Sequence, residues 1–133
     1  MAKTVAGRKP LPKNCDQNWE TTSCPRIAVV TSAAYDTAAG NDAYSNDTEA
    51  ISYYSLFNLF GMVPKHISLH RDNYKIHGDP NTTEGMANLI LISKADIIYF
   101  NGGDQSRHVR AWLNDDGSMT SLLKVIRERA MKN

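Results

Sequence analysis

The sequence predicts an α/β protein built on a parallel sheet. Two observations lead to this fold class: short runs of β-branched and small apolar residues, and longer segments with helical spacing between them. Three such runs occur, and each is followed by a helical pattern, which gives the order β-α-β-α-β-α. Parallel strands need crossovers of this length, so the pattern favours helices on both faces of the sheet.

The first half of the chain contains two predicted strands. "RIAVVTSAA" (Arg26–Ala34) is typical of a strand buried on both faces. After a polar loop, Asn46 and Glu49 have the spacing of a capping box and predict the start of a helix, which the segment Gly61–Pro64 ends. "KHISLH" (Lys65–His70) is the second predicted strand.

The second half begins with a helix that Asp79 is expected to cap and that ends near Ser93. "DIIYF" (Asp96–Phe100) is the third predicted strand. Helical patterns follow at Gln105–Leu113 and Thr120–Ala130. We therefore expect an extended N-terminal arm over residues 1–25 and the N-terminal part of one α/β domain over residues 26–133.

Composition excludes several classes of function. The chain has 133 residues, 41% of them hydrophobic, and a net charge of +1, so neither nucleic acid nor a membrane is an expected partner. No apolar run approaches the roughly 20 residues of a membrane span. The cysteines have no histidines at ligand spacing, so neither a metal nor another cofactor is expected.

Two features favour a secreted or lumenal location over a cytoplasmic one. Cys15 and Cys24 lie nine positions apart in a polar segment, where a disulfide would restrain the N-terminal arm, although two free thiols remain the alternative. Asn46 and Asn81 each begin an N-glycosylation sequon in a predicted surface loop.

The loop after the third strand, "NGGDQ", is the candidate site. In open α/β sheets, ligands bind at the carboxyl ends of the strands. Gly102 and Gly103 are expected to adopt positive φ and to offer amides to an anion or oxyanion, while Asp104 and Gln105 add polar groups at the same rim. Asp104 could equally be a plain helix N-cap. Positive charge at Arg107, His108 and Arg110 would suit a carboxylate-bearing ligand.

The set "RIAVVTSAA", "YYSLFNLFGM" and "ADIIYFNGGDQSRHVRAWL" resembles the cyanophycinase and dipeptidase E family of serine peptidases. The resemblance spans about residues 26–130. It implies a three-layer α/β/α sandwich related to class I amidotransferases and hydrolysis of aspartyl peptide bonds, either β-Asp-Arg or Asp-X. It also implies that Gly102, Gly103, Asp104 and Gln105 form the oxyanion and substrate loop, with Arg107 and His108 as possible substrate contacts.

The same resemblance places the nucleophilic serine on the strand that follows the last predicted helix, and the catalytic histidine further on. Neither Ser32, Ser106 nor Ser118 pairs with a histidine at recognisable spacing, and no G-x-S-x-G motif occurs. We therefore expect no catalytic residue in this chain. The expected partner is a C-terminal chain of the same precursor, forming a heterodimer that could dimerise further.

Two other functions remain open at this point. One is a secreted, non-catalytic binding or structural protein that retains the same fold and binds a peptide or small molecule in the cleft. The other is a small flavodoxin-like module that binds phosphate at "NGGDQ".

Overall fold

The computed structural model describes residues 14–132, and the remaining residues of the arm predicted over 1–25, together with Asn133, lie outside the described range. The described chain is a mixed α/β fold, as predicted. The strands are β1 (Arg26–Val30), β2 (Val63–Ile67) and β3 (Ile97–Phe100). The helices are α1 (Thr37–Ser45), α2 (Tyr53–Leu59), α3 (Tyr74–His77), α4 (Thr83–Lys94), α5 (Gln105–Trp112) and α6 (Ser121–Lys132).

The three strands form an open parallel sheet in the order β2-β1-β3, with β1 at its centre. Within the described residues β3 has a neighbour on one side only. Two of its apolar side chains are partly open to solvent, with Ile97 exposed by 42% and Phe100 by 38%. The sheet therefore presents an apolar, unpaired edge beside the loop that follows β3.

Alternation along β1 supplies two hydrophobic clusters. Ala28 and Val30 pack in the larger cluster, with Ile92 of α4 and Leu122 of α6. The neighbours Ile27 and Val29 pack in a second cluster that includes Phe57 of α2. Successive side chains of a strand point to opposite faces, so β1 is buried on both sides, as its β-branched sequence predicts.

The predicted capping box at Asn46 is wrong. Asn46 follows the last residue of α1, a helix that the sequence analysis assigned to a polar loop, and its backbone N–H donates to the carbonyl of Asp42. The next helix begins at Tyr53, where the Ser52 hydroxyl accepts from the N–H of Ser55. Asn46 belongs both to a sequon and to the capping-box pattern. The residue that caps the next helix is Ser52, six residues after Asn46.

Strand β2, helix α4 and helix α3 also differ from the sequence prediction, and β2 ends at Ile67 rather than at His70. Strand β2 begins at Val63 and includes Pro64, which the sequence analysis assigned to the end of the preceding helix. Pro64 is tolerated because β2 is an edge strand. Helix α4 is capped by Thr82, whose hydroxyl accepts from the N–H of Gly85, rather than by Asp79. The short helix α3 was not predicted.

Residues 14–25 pack against the domain. Cys15 and Cys24 form a disulfide, which confirms the predicted pairing. Between them, Trp19 is 5% exposed, and its indole N–H donates to the carbonyl of Val63 at 2.9 Å. The disulfide therefore closes a loop whose central side chain belongs to the main hydrophobic cluster.

Candidate functional site

The loop after β3 lies beside the loop after β1, because the two strands are parallel neighbours. Val30 pairs with Phe100 in the last register position, and the N–H of Asn101 donates to the carbonyl of Val30 at 2.9 Å. The side chain of Asn101 is buried and accepts from the N–H of Ala33 at 3.1 Å. Asn101 thus fixes the start of the "NGGDQ" loop to the end of β1.

The two glycines of the loop differ in what they require. Gly103 has φ of +139°, and a Cβ there would lie 3.2 Å from the Cβ of Ala33, so both its backbone conformation and its close approach favour glycine. Gly102 does not have positive φ, and a Cβ added to it would meet open space. The expectation of positive φ is therefore confirmed for Gly103 and wrong for Gly102.

The amides of this loop are available to a ligand. Both glycines are exposed, and within residues 14–132 the N–H groups of Gly102 and Gly103 donate no hydrogen bond. The loop leads directly into the N-terminus of α5, where the helix dipole favours negative charge. Two unbonded amides at that position have the chemistry of an oxyanion or anion site.

The two polar residues of the loop have different environments. The carboxylate of Asp104 caps α5, accepting from the backbone N–H of Ser106 at 3.0 Å and from its hydroxyl at 2.7 Å. These hydrogen bonds, with smaller contributions from Arg107 and Arg110, lower the pKa of Asp104. Asp104 thus serves as an N-cap, whereas Gln105 is exposed and its amide is unbonded within the described part of the chain.

The structure brings together Ser32 and His108, a pair that the sequence analysis did not anticipate. The hydroxyl of Ser32 lies 2.5 Å from Nδ1 of His108, and Nε2 of His108 lies 3.0 Å from the backbone carbonyl of Asn101. A carbonyl only accepts, so Nε2 carries the proton and Nδ1 accepts from the serine. The indole N–H of Trp112 donates to the same hydroxyl at 2.9 Å.

This pair has the distance of a nucleophile and its base, but not the exposure. Ser32 is 0% exposed, and its hydroxyl is enclosed by Trp112 and His108. The other serines considered as nucleophiles donate to carboxylates: Ser106 to Asp104 and Ser118 to Asp116. The Ser32 hydroxyl therefore holds the loop together and is closed to a substrate.

The two residues that were expected to contact substrate, Arg107 and His108, form hydrogen bonds with other residues of the chain. His108 uses its two ring nitrogens on Ser32 and Asn101. Arg107 donates from Nη1 to the carbonyl of Ala33 at 3.2 Å, and its guanidinium also lies 5.3 Å from the ring centroid of Tyr35. Arg107 also lines a cavity of about 200 Å³, whereas both ring nitrogens of His108 are used within the protein.

A second buried polar group lies at the end of β1. The hydroxyl of Thr31 lies 2.7 Å from Nε2 of His66 and 2.8 Å from Nε2 of His70. Burial lowers the pKa of His66 to about 4, and it also lowers the pKa of His70. A Cβ at Gly40 would lie 2.0 Å from Nε2 of His70, so α1 approaches this imidazole through a glycine.

Within residues 14–132, no group of three or more His, Cys, Asp or Glu side chains is arranged to hold a metal ion. None of the described helices combines the length and the apolar character that crossing a membrane requires. Asn46 and Asn81, the sequon residues, are both exposed.

The fold and site define the class of protein: an α/β protein with an open parallel sheet and a glycine loop with free amides at its carboxyl edge. No family model, curated protein or solved structure matches this chain.

Proposed function

We propose that this chain is the N-terminal portion of a cyanophycinase-like serine peptidase and forms the oxyanion side of its active site. The observation that carries the proposal is the pair of unbonded, exposed amides at Gly102 and Gly103. They lie at the carboxyl end of a parallel strand, where α/β enzymes bind their ligands.

The proposed chemistry is acyl transfer to a serine. A serine hydroxyl of a companion segment attacks the carbonyl of an aspartyl peptide bond and gives its proton to a histidine of that segment. The carbonyl oxygen becomes an oxyanion, which the Gly102 and Gly103 amides stabilise. The amine then leaves with the proton, and water hydrolyses the acyl-enzyme. The resemblance implies that Gln105, which is exposed, binds the substrate beside the reacting carbonyl.

The companion segment is proposed to add its first strand to the free edge of β3. Ile97 and Phe100 lie on that strand and are partly exposed, so a further parallel strand with a covering helix would bury them. The strand would end beside the "NGGDQ" loop, which is where a nucleophile has to lie. Extension of the sheet in this way would complete the three-layer sandwich that the resemblance implies.

The proposal is tested on native material. Intact-mass analysis of the purified protein should detect a companion polypeptide, and sequencing of that polypeptide should find a serine at a predicted strand-to-helix turn and a downstream histidine. The complex should hydrolyse β-aspartyl-arginine or Asp-X dipeptides, and Gln105→Ala should lower kcat/KM. Glu128→Ala, which removes an exposed side chain from the second half of α6, should leave kcat/KM unchanged. Absence of a companion chain, or an inactive complex, would reject the peptidase.

The second candidate is a secreted binding protein that keeps the fold and has lost catalysis. The Cys15–Cys24 disulfide favours it, because disulfides persist in oxidising compartments, and the exposed asparagines Asn46 and Asn81 are accessible to glycosylation. A companion segment with another residue at the serine position, together with retained ligand binding, would support this candidate over the peptidase.

A further inference from the structure

A small cavity lies on the Asp104 side of the "NGGDQ" loop, and neither Gly102 nor Gly103 lines it. Its volume is about 200 Å³, and three segments of the chain line it. Its lining residues are Tyr35 of the β1–α1 loop, Arg71 of the β2–α3 loop, the cap residue Asp104, and Ser106, Arg107 and Arg110 of α5, the last of them in the final turn of the helix. Sequence spacing predicted charge at α5, but it gave no sign that Arg71 would join it.

Two of the guanidinium groups are held in place against Tyr35. The Cζ of Arg71 lies 4.0 Å from the centroid of the tyrosine ring, and that of Arg107 lies 5.3 Å away. Arg71 also donates from Nε to the backbone carbonyl of Tyr35 at 2.5 Å. Tyr35 therefore positions both guanidinium groups at the cavity. Because they are already ordered, ligand binding costs them little further conformational entropy.

The positive charge of this cavity is not balanced by its own residues. Three arginines line it, against one carboxylate, that of Asp104, which already accepts two hydrogen bonds from Ser106. Asp104 also lies 3.8 Å from Nε of Arg107. Arg110 forms no hydrogen bond or ion pair within the described residues, although it contributes to the lowered pKa of Asp104. An added anion would relieve this excess of charge.

The neighbouring carboxylate of Asp72 is bonded to Thr37. Asp72 follows Arg71 in the chain, but its Oδ1 accepts from the N–H of Thr37 at 2.9 Å and from its hydroxyl at 2.6 Å. It contributes to the adjoining cavity of about 670 Å³ and not to the small one. Arg71 and Arg110 line both cavities, so an anionic group bound between them would leave room for the rest of a ligand.

We propose that Arg71, Arg107 and Arg110 bind an oxoanion group, a carboxylate or a phosphate, carried by a ligand that extends into the larger cavity. Guanidinium groups match the planar or tetrahedral oxygens of such groups with paired N–H donors. The site consists entirely of this chain's residues and does not depend on the proposed peptidase or on a companion segment.

The test uses the whole chain with two probes, inorganic phosphate and succinate, each titrated at an ionic strength held constant with sodium chloride. Amide and arginine Nε–H resonances are followed by NMR. We expect saturable shifts at Tyr35, Arg71 and Arg110. Arg110→Gln should weaken binding about tenfold or more, because it removes a charge-assisted hydrogen bond. Arg127→Gln removes the same charge from the exposed side of α6 and should leave the affinity unchanged.

The outcomes separate the two sources of the anionic group. Tighter binding of phosphate indicates a phosphorylated ligand, and tighter binding of succinate indicates a carboxylate-bearing one. Arg110→Lys, which keeps the charge but loses the paired donors, should bind more weakly than the parent chain. The proposal is overturned by shifts that do not saturate, or by equal affinities in Arg110→Gln and Arg127→Gln when both variants show the parent's circular dichroism spectrum.

Discussion

The hydroxyl of Ser32 lies 2.5 Å from Nδ1 of His108, although 76 positions separate the two residues in the chain. Their contact joins the end of β1 to α5. Nε2 of His108 also bonds to the carbonyl of Asn101. One imidazole therefore joins the segment after β1 to the start of the glycine loop after β3. The position of the free amides at Gly102 and Gly103 therefore depends on a buried polar contact outside the loop itself.

Ser32→Ala should destabilise the protein by about 1 to 3 kcal/mol, because it leaves the buried indole N–H of Trp112 and the partly buried Nδ1 of His108 without a partner. Ser93→Ala is the matched control, since its exposed hydroxyl bonds only to a carbonyl within α4. The free energy of unfolding in urea is the measurement. Equal values for the two variants would show that the contact contributes nothing to stability.

Stability should fall as the pH is lowered from 7.5 to 5, because His66 has a folded-state pKa of about 4 against an ordinary value of 6.5. Between those two values the unfolded chain binds a proton that the folded chain does not. The expected loss by pH 5 is about 2 kcal/mol from His66. Burial of His70 acts in the same direction.

Urea unfolding at pH 7.5, 6.5, 5.5 and 5 measures this dependence. His66→Gln should flatten the curve over that range, even though the substitution lowers stability at pH 7.5. A variant that keeps the full slope would assign the pH dependence to other groups.

Gly103→Ala and Gly102→Ala should have unequal effects. Alanine at Gly103 combines a φ of +139° with a Cβ 3.2 Å from that of Ala33, and it should cost about 1 to 3 kcal/mol. Alanine at Gly102 enters open space and should leave stability within about 0.5 kcal/mol of the parent. Thermal unfolding of both variants provides the comparison, and a greater loss in Gly102→Ala would contradict the loop geometry.

Reduction of the Cys15–Cys24 disulfide should lower the free energy of unfolding by about 2 to 3 kcal/mol, the size expected for a closed loop of about ten residues. The loss should appear in the Cys15→Ser/Cys24→Ser double variant without reductant. Unchanged stability in the double variant would show that Trp19 alone anchors the segment.

The sequence predicted the parts of the fold that depend on one-dimensional patterns. Runs of β-branched residues identified β1 and β3, and strand order placed the "NGGDQ" loop at the carboxyl edge of the sheet. Helix α1 escaped detection because Thr37–Ser45 has almost no apolar periodicity. The carboxylate of Asp36 caps this helix, and the absence of a side chain at Gly40 lets the helix lie close to His70. Neither signal shows as hydrophobic spacing.

The parts of the site that escaped prediction are contacts between distant segments. Arg71 reaches Tyr35 across 36 positions, and Ser32 reaches His108 across 76. Such pairs follow from the parallel order of the strands, which brings the loops after β1, β2 and β3 to one edge. Sequence spacing could identify each loop, but not which side chains would meet between them.

The central position of β1 has a consequence for how the chain folds during synthesis. This strand is made first, yet its partners are β2 and β3, and the last residue of β3 is Phe100. While the ribosome is still adding that segment, one hydrogen-bonding edge of β1 has no strand to pair with. Both hydrophobic clusters depend on β1, so the core should close only after β3 has been made.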